Sequence, residues 1–349
     1  MNLEVDVLMS VKDIHSSAKF QNPVTIRDIE EAAHIIHQVG RVTPLLQSMF
    51  LSRNVTAGEV YLKLENMQLT GSFKFRGAFN KINHLTAAEK ARGVIAASAG
   101  NHAQGVALTS QLLGIDAIVV MPHGAPLAKQ QATAGYGAKV VLYGDNFDEA
   151  HQFMEEEAIR KGYTVVDPYD DVDVIAGQGT IGLEILDQLW DVDTVIVPVG
   201  GGGLISGIAT ALKSFNPQIH IVGVQSENIH GMTASYAADR IISFSQGKTL
   251  ADGTAVATPG QITFPITEHL VDEMVLVSEE EIATAMKDLL QRTKTVVEGA
   301  GALPTAALEA HKIDSKWIKN KKVVALVSGG NVDLECVSQN LEHFVTLVK

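Results

Sequence analysis

Short runs of aliphatic and β-branched residues alternate along this chain with stretches whose apolar positions recur every three or four residues. EVYLKL (59–64), VIAA (94–97), AIVVM (117–121), KVVLY (139–143), TVVD (164–167), TVIVPV (194–199), IVGVQ (221–225), MVLV (274–277) and VVALVS (323–328) read as strands. Several are apolar without alternation, the pattern of parallel strands covered on both faces. Helices are predicted between them, over Asn101 to Leu113, Thr180 to Leu189 and Leu204 to Phe215. Ser278 followed by Glu281 forms a capping box that starts a helix after MVLV. Repeated strand-helix alternation predicts an α/β fold of doubly wound parallel sheets, with ligands gathered where loops leave the carboxyl ends of strands. No repeat, low-complexity segment or charged linker marks a boundary, so two domains would have to be interleaved or tightly packed.

Composition narrows the class of protein. The 349 residues exceed one ordinary core, and 46% hydrophobic content with a mean hydropathy of +0.13 describes a well-buried globular chain. A net charge of -13 without a local Lys/Arg cluster argues against nucleic acid or an anionic membrane as partner. One uncharged stretch, Thr194 to Leu212, is nearly long enough to span a bilayer, but Pro198 and four consecutive glycines would break it. Strand, turn and helix account for it instead. The single cysteine, Cys336, permits neither an internal disulfide nor a thiolate metal cluster, which suits the cytoplasm. The first twenty residues resemble neither a secretory signal nor a transit peptide and are expected to form a loose leader.

Candidate chemistry begins at GSFKFRGAFN (71–80), where Lys74 sits between Phe73 and Phe75. A lysine among apolar neighbours loses hydration, so its amine becomes available as a nucleophile or for a Schiff base. The structural alternative is an amphipathic helix whose Lys74 and Arg76 reach solvent on long stems. Three loops bear on the choice. Gly200 to Gly203 follow TVIVPV and open a helix, a place where converging backbone amides and the helix dipole favour phosphate. They satisfy neither the dinucleotide G-x-G-x-x-G spacing nor the Walker pattern. Ser98 to Gly105, SAGNHAQG, also lead from strand to helix; Ser98 and the turn amides could hold a carboxylate, and Asn101 a ring hydroxyl, or the segment is a plain helix start. Ser328-Gly329-Gly330-Asn331 could present an uncharged hydroxyl to a heteroaromatic nitrogen, or be a turn. H-E-x-x-H, C-x-x-C and G-x-S-x-G are all absent.

GSFKFRGA, ASAGNHAQGVA, AGQGTIGLEI, VPVGGGGLISG, LADGTAV, EGAGA and VSGGNVD follow one another in the order seen in the serine/threonine dehydratases, and the chain resembles that family from about Ile26 to about Ser338. The resemblance implies the fold-type II architecture of pyridoxal 5'-phosphate enzymes, related to the tryptophan synthase β chain. A discontinuous large domain would comprise 1–92 and 171–349, and a small mobile domain 93–170. It further implies that Lys74 carries the cofactor, Gly200, Gly201, Gly202, Gly203 and Leu204 bind its phosphate, and Asn101 meets the ring hydroxyl. Ser328 would face the pyridine nitrogen and Phe73 would stack beside the ring, while Ser98, Asn101 and His102 position the substrate carboxylate. The implied reaction is β-elimination from L-threonine to 2-oxobutanoate and ammonia, with L-serine giving pyruvate. An L-serine or 3-hydroxyaspartate dehydratase, or a cofactor-binding protein without turnover, are the alternatives.

Departures from the family pattern narrow these expectations. Serine racemases of the same fold carry a serine acid/base where this chain has Ala99, so racemisation by that route is expected to be negligible. Gln225 and Gly231 stand at the racemase-type divalent metal positions, so no metal is expected there. The resemblance implies a homodimer or homotetramer, without the C-terminal regulatory domain of biosynthetic relatives. An AMP effector would meet Leu69, Thr70, Gln104, Tyr136 and Asn331, with Leu69 replacing a basic residue.

Overall fold

The computed structural model describes residues 20–55 and 58–332. Most of the expected leader, and Cys336, lie outside the described residues.

Ten strands among the described residues form two sheets. In chain order they are β1 (Leu45–Gln47), β2 (Glu59–Leu64), β3 (Val94–Ala97), β4 (Ala117–Met121), β5 (Lys139–Leu142), β6 (Thr164–Val165), β7 (Thr194–Pro198), β8 (His220–Ser226), β9 (Glu273–Val277) and β10 (Lys322–Val327). A six-stranded sheet runs β1-β2-β10-β7-β8-β9, and a four-stranded sheet runs β5-β4-β3-β6. Every pairing is parallel except β1 with β2. All nine predicted strands are present, with ends that differ by no more than two residues. The apolar runs of β7, β8 and β10 are buried almost throughout, as parallel strands covered on both faces should be. β1 was not predicted: LLQ is a three-residue edge strand, half exposed, too short to carry a periodic signal.

Two predicted helices occupy Asn101–Leu113 and Gly203–Phe215, and the Ser278–Glu281 capping box closes as expected. The third begins eight residues earlier than its pattern suggests, running Val172–Gln188 from an Asp171 cap. Gly177 and Gly179 conceal it, because glycine weakens a helical pattern. Here they permit close packing: a Cβ on Gly177 would come 2.7 Å from the Arg76 carbonyl, and one on Gly179 would come 2.9 Å from the Gly207 carbonyl.

That packing presses the helix Lys74–Asn83 against Val172–Gln188, and a buried ion network locks the pair. Arg76 donates to both oxygens of Glu65 at 2.8 Å and to Glu184 at 2.6 Å, while Lys63 reaches Glu184 at 2.6 Å. All four side chains are buried. Arg76 therefore does not reach solvent, which removes one half of the amphipathic-helix alternative. Its partners hold the guanidinium charged against the cost of desolvation and raise its pKa.

Candidate active site

Loops from both sheets line a cavity of about 690 Å³, well within the range of small-molecule sites. Lys74, Phe73, Ser98, Ala99, Asn101, His102, Gly200 to Gly203, Leu204, Ser328 and Asn331 all contribute to its wall. The residues singled out for cofactor and substrate carboxylate are thus brought together from segments far apart in sequence.

Lys74 opens its helix with the ammonium enclosed by protein, donating to the Pro168 carbonyl at 2.6 Å and lying 5.2 Å from the Phe73 ring centroid. Burial lowers its pKa to about 8, against the opposing pull of Asp167 and Glu298. At pH 7 about a tenth of it is then free amine, far more than for an ordinary lysine. The loop that carries it is tied to the third polar loop, since the Phe73 amide donates to the Ser328 carbonyl at 3.1 Å.

The glycine loop joins β7 to the helix Gly203–Phe215. Gly202 has φ +101, and a Cβ there would meet the Met232 methyl at 2.5 Å and Thr263 at 2.8 Å; a Cβ on Gly201 would run into the Tyr169 ring. No side chain caps the helix. The amides of its first turn are therefore available to an anion in the cavity.

Ser98 follows β3, and its hydroxyl accepts from the Gly100 amide at 3.1 Å. Gly100 starts the helix Asn101–Leu113 without a side-chain cap, so this helix end also faces the cavity with unused amides. His102 is buried and donates from Nε2 to the Val166 carbonyl at 2.8 Å. Burial first, and then the Lys74 charge, push its pKa down to about 3. It is a neutral donor fixed to backbone, which leaves Ser98, Asn101 and the amides better suited to a carboxylate.

Several cavity residues were not singled out from the sequence. Glu298, in the EGAGA motif, accepts from Asn101 Nδ2 at 2.7 Å and from the Asn331 amide at 3.1 Å. Burial, then the nearby Asp252 charge, raise its pKa to about 8. Its one signal was an acid immediately before a run of small apolar residues. Tyr169 covers the glycine loop, and burial raises its phenol to about 12. Lys129 and Asp252 pair at 2.9 Å where the segments carrying β3–β6 meet those of the larger sheet.

Of the effector positions, Asn331 lines the cavity and donates from Nδ2 to the Thr70 carbonyl at 2.6 Å. Thr70 and Gln104 are buried, Tyr136 ends the helix Leu127–Gly135, and Leu69 packs against the apolar cluster that contains Phe75 and Phe79. At the racemase metal positions, Gln225 Oε1 is occupied by the Thr233 amide and hydroxyl at 2.8 and 2.9 Å. No group of three or more His, Cys, Asp or Glu among the described residues is arranged to hold a metal ion.

Comparison with known proteins follows the same lines. A family model described as pyridoxal-phosphate dependent enzyme matches residues 36–329. The chain is 64% identical over 320 residues to the protein named L-threonine dehydratase catabolic TdcB of Staphylococcus aureus (strain N315), covering 92% of each. It resembles the structure of maize serine racemase with a TM-score of 0.87 at 34% identity, covering 93% of this chain and 98% of that one. For the processed form of threonine deaminase isoform 2 from Solanum lycopersicum the TM-score is 0.85 at 39% identity, covering 91% and 92%.

Proposed function

The chain belongs to the pyridoxal-phosphate-dependent enzyme family, and from that premise we propose that it is a threonine dehydratase, a lyase converting L-threonine to 2-oxobutanoate and ammonia. The enclosed amine of Lys74, facing two helix ends with unused amides across one cavity, is the observation that carries this reading. L-Serine, with the same β-hydroxyl, would give pyruvate by the same route.

The residues present fit the cofactor. Lys74 would hold its aldehyde carbon, the amides of Gly200 to Leu204 its phosphate, Asn101 its ring oxygen and Ser328 its ring nitrogen, with Phe73 beside the ring. Pyridoxal phosphate supplies an electron sink that makes the Cα–H bond of a bound amino acid breakable. The chain does the rest. Ser98, Asn101 and the amides that open the helix Asn101–Leu113 hold the substrate carboxylate, which sets the Cα–H bond toward Lys74. The Lys74 amine takes the Cα proton at Nζ, a role its lowered pKa suits near neutral pH. The β-hydroxyl takes up one proton and leaves as water, so that Cα–H and Cβ–OH are lost together across a new Cα=Cβ bond, and hydrolysis of the released enamine yields ammonia and the 2-oxo acid. His102, neutral and fixed to Val166, holds the loop rather than exchanging protons. A hydroxyl at Ser328 suits elimination, because a neutral partner stores less charge on the ring than a carboxylate would and lets the leaving group depart promptly.

The reading extends to organisation and control. The continuous stretch 93–170 would move as a small domain on the remainder, which accords with a four-stranded sheet built from that stretch alone. A homodimer or homotetramer, a cytoplasmic site of action and a supply of 2-oxobutanoate toward isoleucine complete the proposal. No helix of the described residues is long and apolar enough to cross a membrane. AMP at Leu69, Thr70, Gln104, Tyr136 and Asn331 would act as an effector, a reading supported by the bond from Asn331 to Thr70. AMP titration against threonine saturation tests it, and unchanged affinity and oligomer size would remove it.

Product analysis of the cofactor-loaded protein with L-threonine and L-serine, beside Lys74→Ala, tests the central claim. Expected are 2-oxobutanoate from threonine, slower pyruvate from serine, and neither from the variant. Protein that holds the cofactor yet turns over neither amino acid would overturn it.

A further inference from the structure

Glu298 stands at the start of the helix Gly299–Glu309 but does not cap it. Its carboxyl is instead buried against the cavity, and each oxygen is engaged: Oε1 by Asn101 Nδ2 at 2.7 Å, Oε2 by the Asn331 amide at 3.1 Å. Asn331 Nδ2 then donates to Asn101 Oδ1 at 2.9 Å and to the Thr70 carbonyl at 2.6 Å. The Asn101 amide is thereby held from both sides. Reversing it would set its NH2 against the NH2 of Asn331 and its oxygen against a carboxyl oxygen. One N–H of Asn101 makes no hydrogen bond among the described residues.

We propose that Glu298 is a positioning residue for the bound cofactor, orienting Asn101 so that its remaining N–H serves the oxygen substituent of the pyridine ring. The proposal rests on the cofactor reading given above. It also joins three of the sequence motifs, ASAGNHA, EGAGA and VSGGN, into one hydrogen-bonded unit around the ring edge.

Burial and Asp252 raise the Glu298 pKa to about 8, and the hydrogen bonds from Asn101 and the Asn331 amide, then Lys129, pull it back. Lys74, whose pKa is also about 8, is the remaining charged group coupled to it. Loss of the Glu298 proton near that pH turns a neutral acceptor into a charged one, which roughly doubles the strength of the bond from Asn101. The grip on the ring should therefore tighten as pH rises through 8.

The test is titration of apoprotein with pyridoxal phosphate, followed by absorbance, across pH, in the wild type, E298Q, E298D, N101A and E298Q/N101A. A glutamine must turn its NH2 toward either Asn101 or the Asn331 amide, donor against donor, so E298Q should bind the cofactor about tenfold more weakly. Its affinity should also change less steeply near pH 8, leaving only the contribution of Lys74, and E298D should restore part of both losses. If Glu298 acts through Asn101, the double variant binds no worse than N101A. Additive losses, or an E298Q protein with unaltered affinity and pH dependence, would overturn the proposal. If E298Q does not fold, N101A decides alone, because the affinity change near pH 8 must shrink in it to the part that the Lys74 amine supplies. A wild type that takes up no cofactor sinks the cofactor reading itself, whereas variants that behave like a competent wild type sink only this inference.

Discussion

The Lys74 ammonium donates to the Pro168 carbonyl across 2.6 Å, so the amine that opens the helix Lys74–Asn83 is parked on the loop that leaves β6 of the smaller sheet. A carbonyl accepts only from the N–H side and leaves the nitrogen lone pair of a neutral amine free to attack. With a pKa of about 8, capture of the cofactor by apoprotein should quicken about tenfold per pH unit below 8 and level off above it. Stopped-flow absorbance checks this. Lys74→Arg keeps a positive charge but cannot form the bond, and should lose both the visible band and about 10³-fold or more of the turnover. A pH-independent capture rate would mean that the amine is not the titrating group.

The glycine loop predicts a graded pair of variants. Gly202→Ala forces an L-residue to φ +101 and drives a methyl toward Met232 and Thr263, so it should cost about 1–3 kcal/mol of stability as well as cofactor affinity. Gly201→Ala has no such backbone strain but displaces the Tyr169 ring. Its effect should fall mainly on cofactor binding. Thermal melts of apo and loaded protein separate the two, and equal losses in both variants would contradict the assignment.

Replacing Arg76 by methionine leaves Glu65 and Glu184 buried with Lys63 and the half-buried His37 ring as their remaining basic neighbours. Breaking such a pair costs about 3–5 kcal/mol, and Arg76→Lys should recover little because one ammonium cannot span two carboxylates in a fork. Urea unfolding measures both. A loss below about 1 kcal/mol would mean that the network is dispensable to the helix carrying Lys74.

How much of this was legible follows from where the signal lies. β7 and its glycines could be read because four consecutive glycines after an apolar run have little use except close approach, and the loop does line the cavity. Lys74 could be read as odd but not as reactive, since the burial that lowers its pKa is built by segments remote in sequence, such as the loop whose Pro168 carbonyl it meets 94 positions further on. The helix Val172–Gln188 was half hidden because its glycines serve packing against other helices rather than its own formation. Glu298 was invisible as a functional group. Its pKa is made by burial and by Asp252, and only the fold supplies either.

Two cavity groups give stability opposite slopes with pH. His102 titrates at about 3 in the fold and 6.5 when free, so the unfolded chain binds the extra proton between those values and stability falls as pH falls through them. Glu298 titrates at about 8 in the fold and 4.5 when free, so the folded chain binds the extra proton and stability falls as pH rises through that window. Between 4.5 and 6.5 the two oppose each other, and from 7, above the buried Glu309 carboxyl that titrates at about 7, up to 8 the slope belongs chiefly to Glu298. Denaturant unfolding should show the apoprotein weakening by up to about 1.4 kcal/mol per pH unit in that upper window, with the slope removed in Glu298→Gln. A slope retained in the variant would assign it to another group.

Ala99 lines the cavity one residue after Ser98, and its methyl packs toward the apolar cluster of the smaller sheet. Racemisation requires an acid on the face of Cα opposite Lys74 to return a proton there, and a methyl group can neither give nor take one. The wild type is therefore expected to release ammonia from L-serine with D-serine as a negligible product, despite its structural likeness to maize serine racemase. Ala99→Ser adds one oxygen at this wall and changes no charge, so the cofactor should still bind. If the missing hydroxyl is what bars reprotonation, the variant should form D-serine at least about tenfold faster relative to pyruvate, read by chiral chromatography of one reaction mixture. Comparable D-serine in the wild type, or none gained in the variant, would show that the barrier to racemisation lies elsewhere in the cavity.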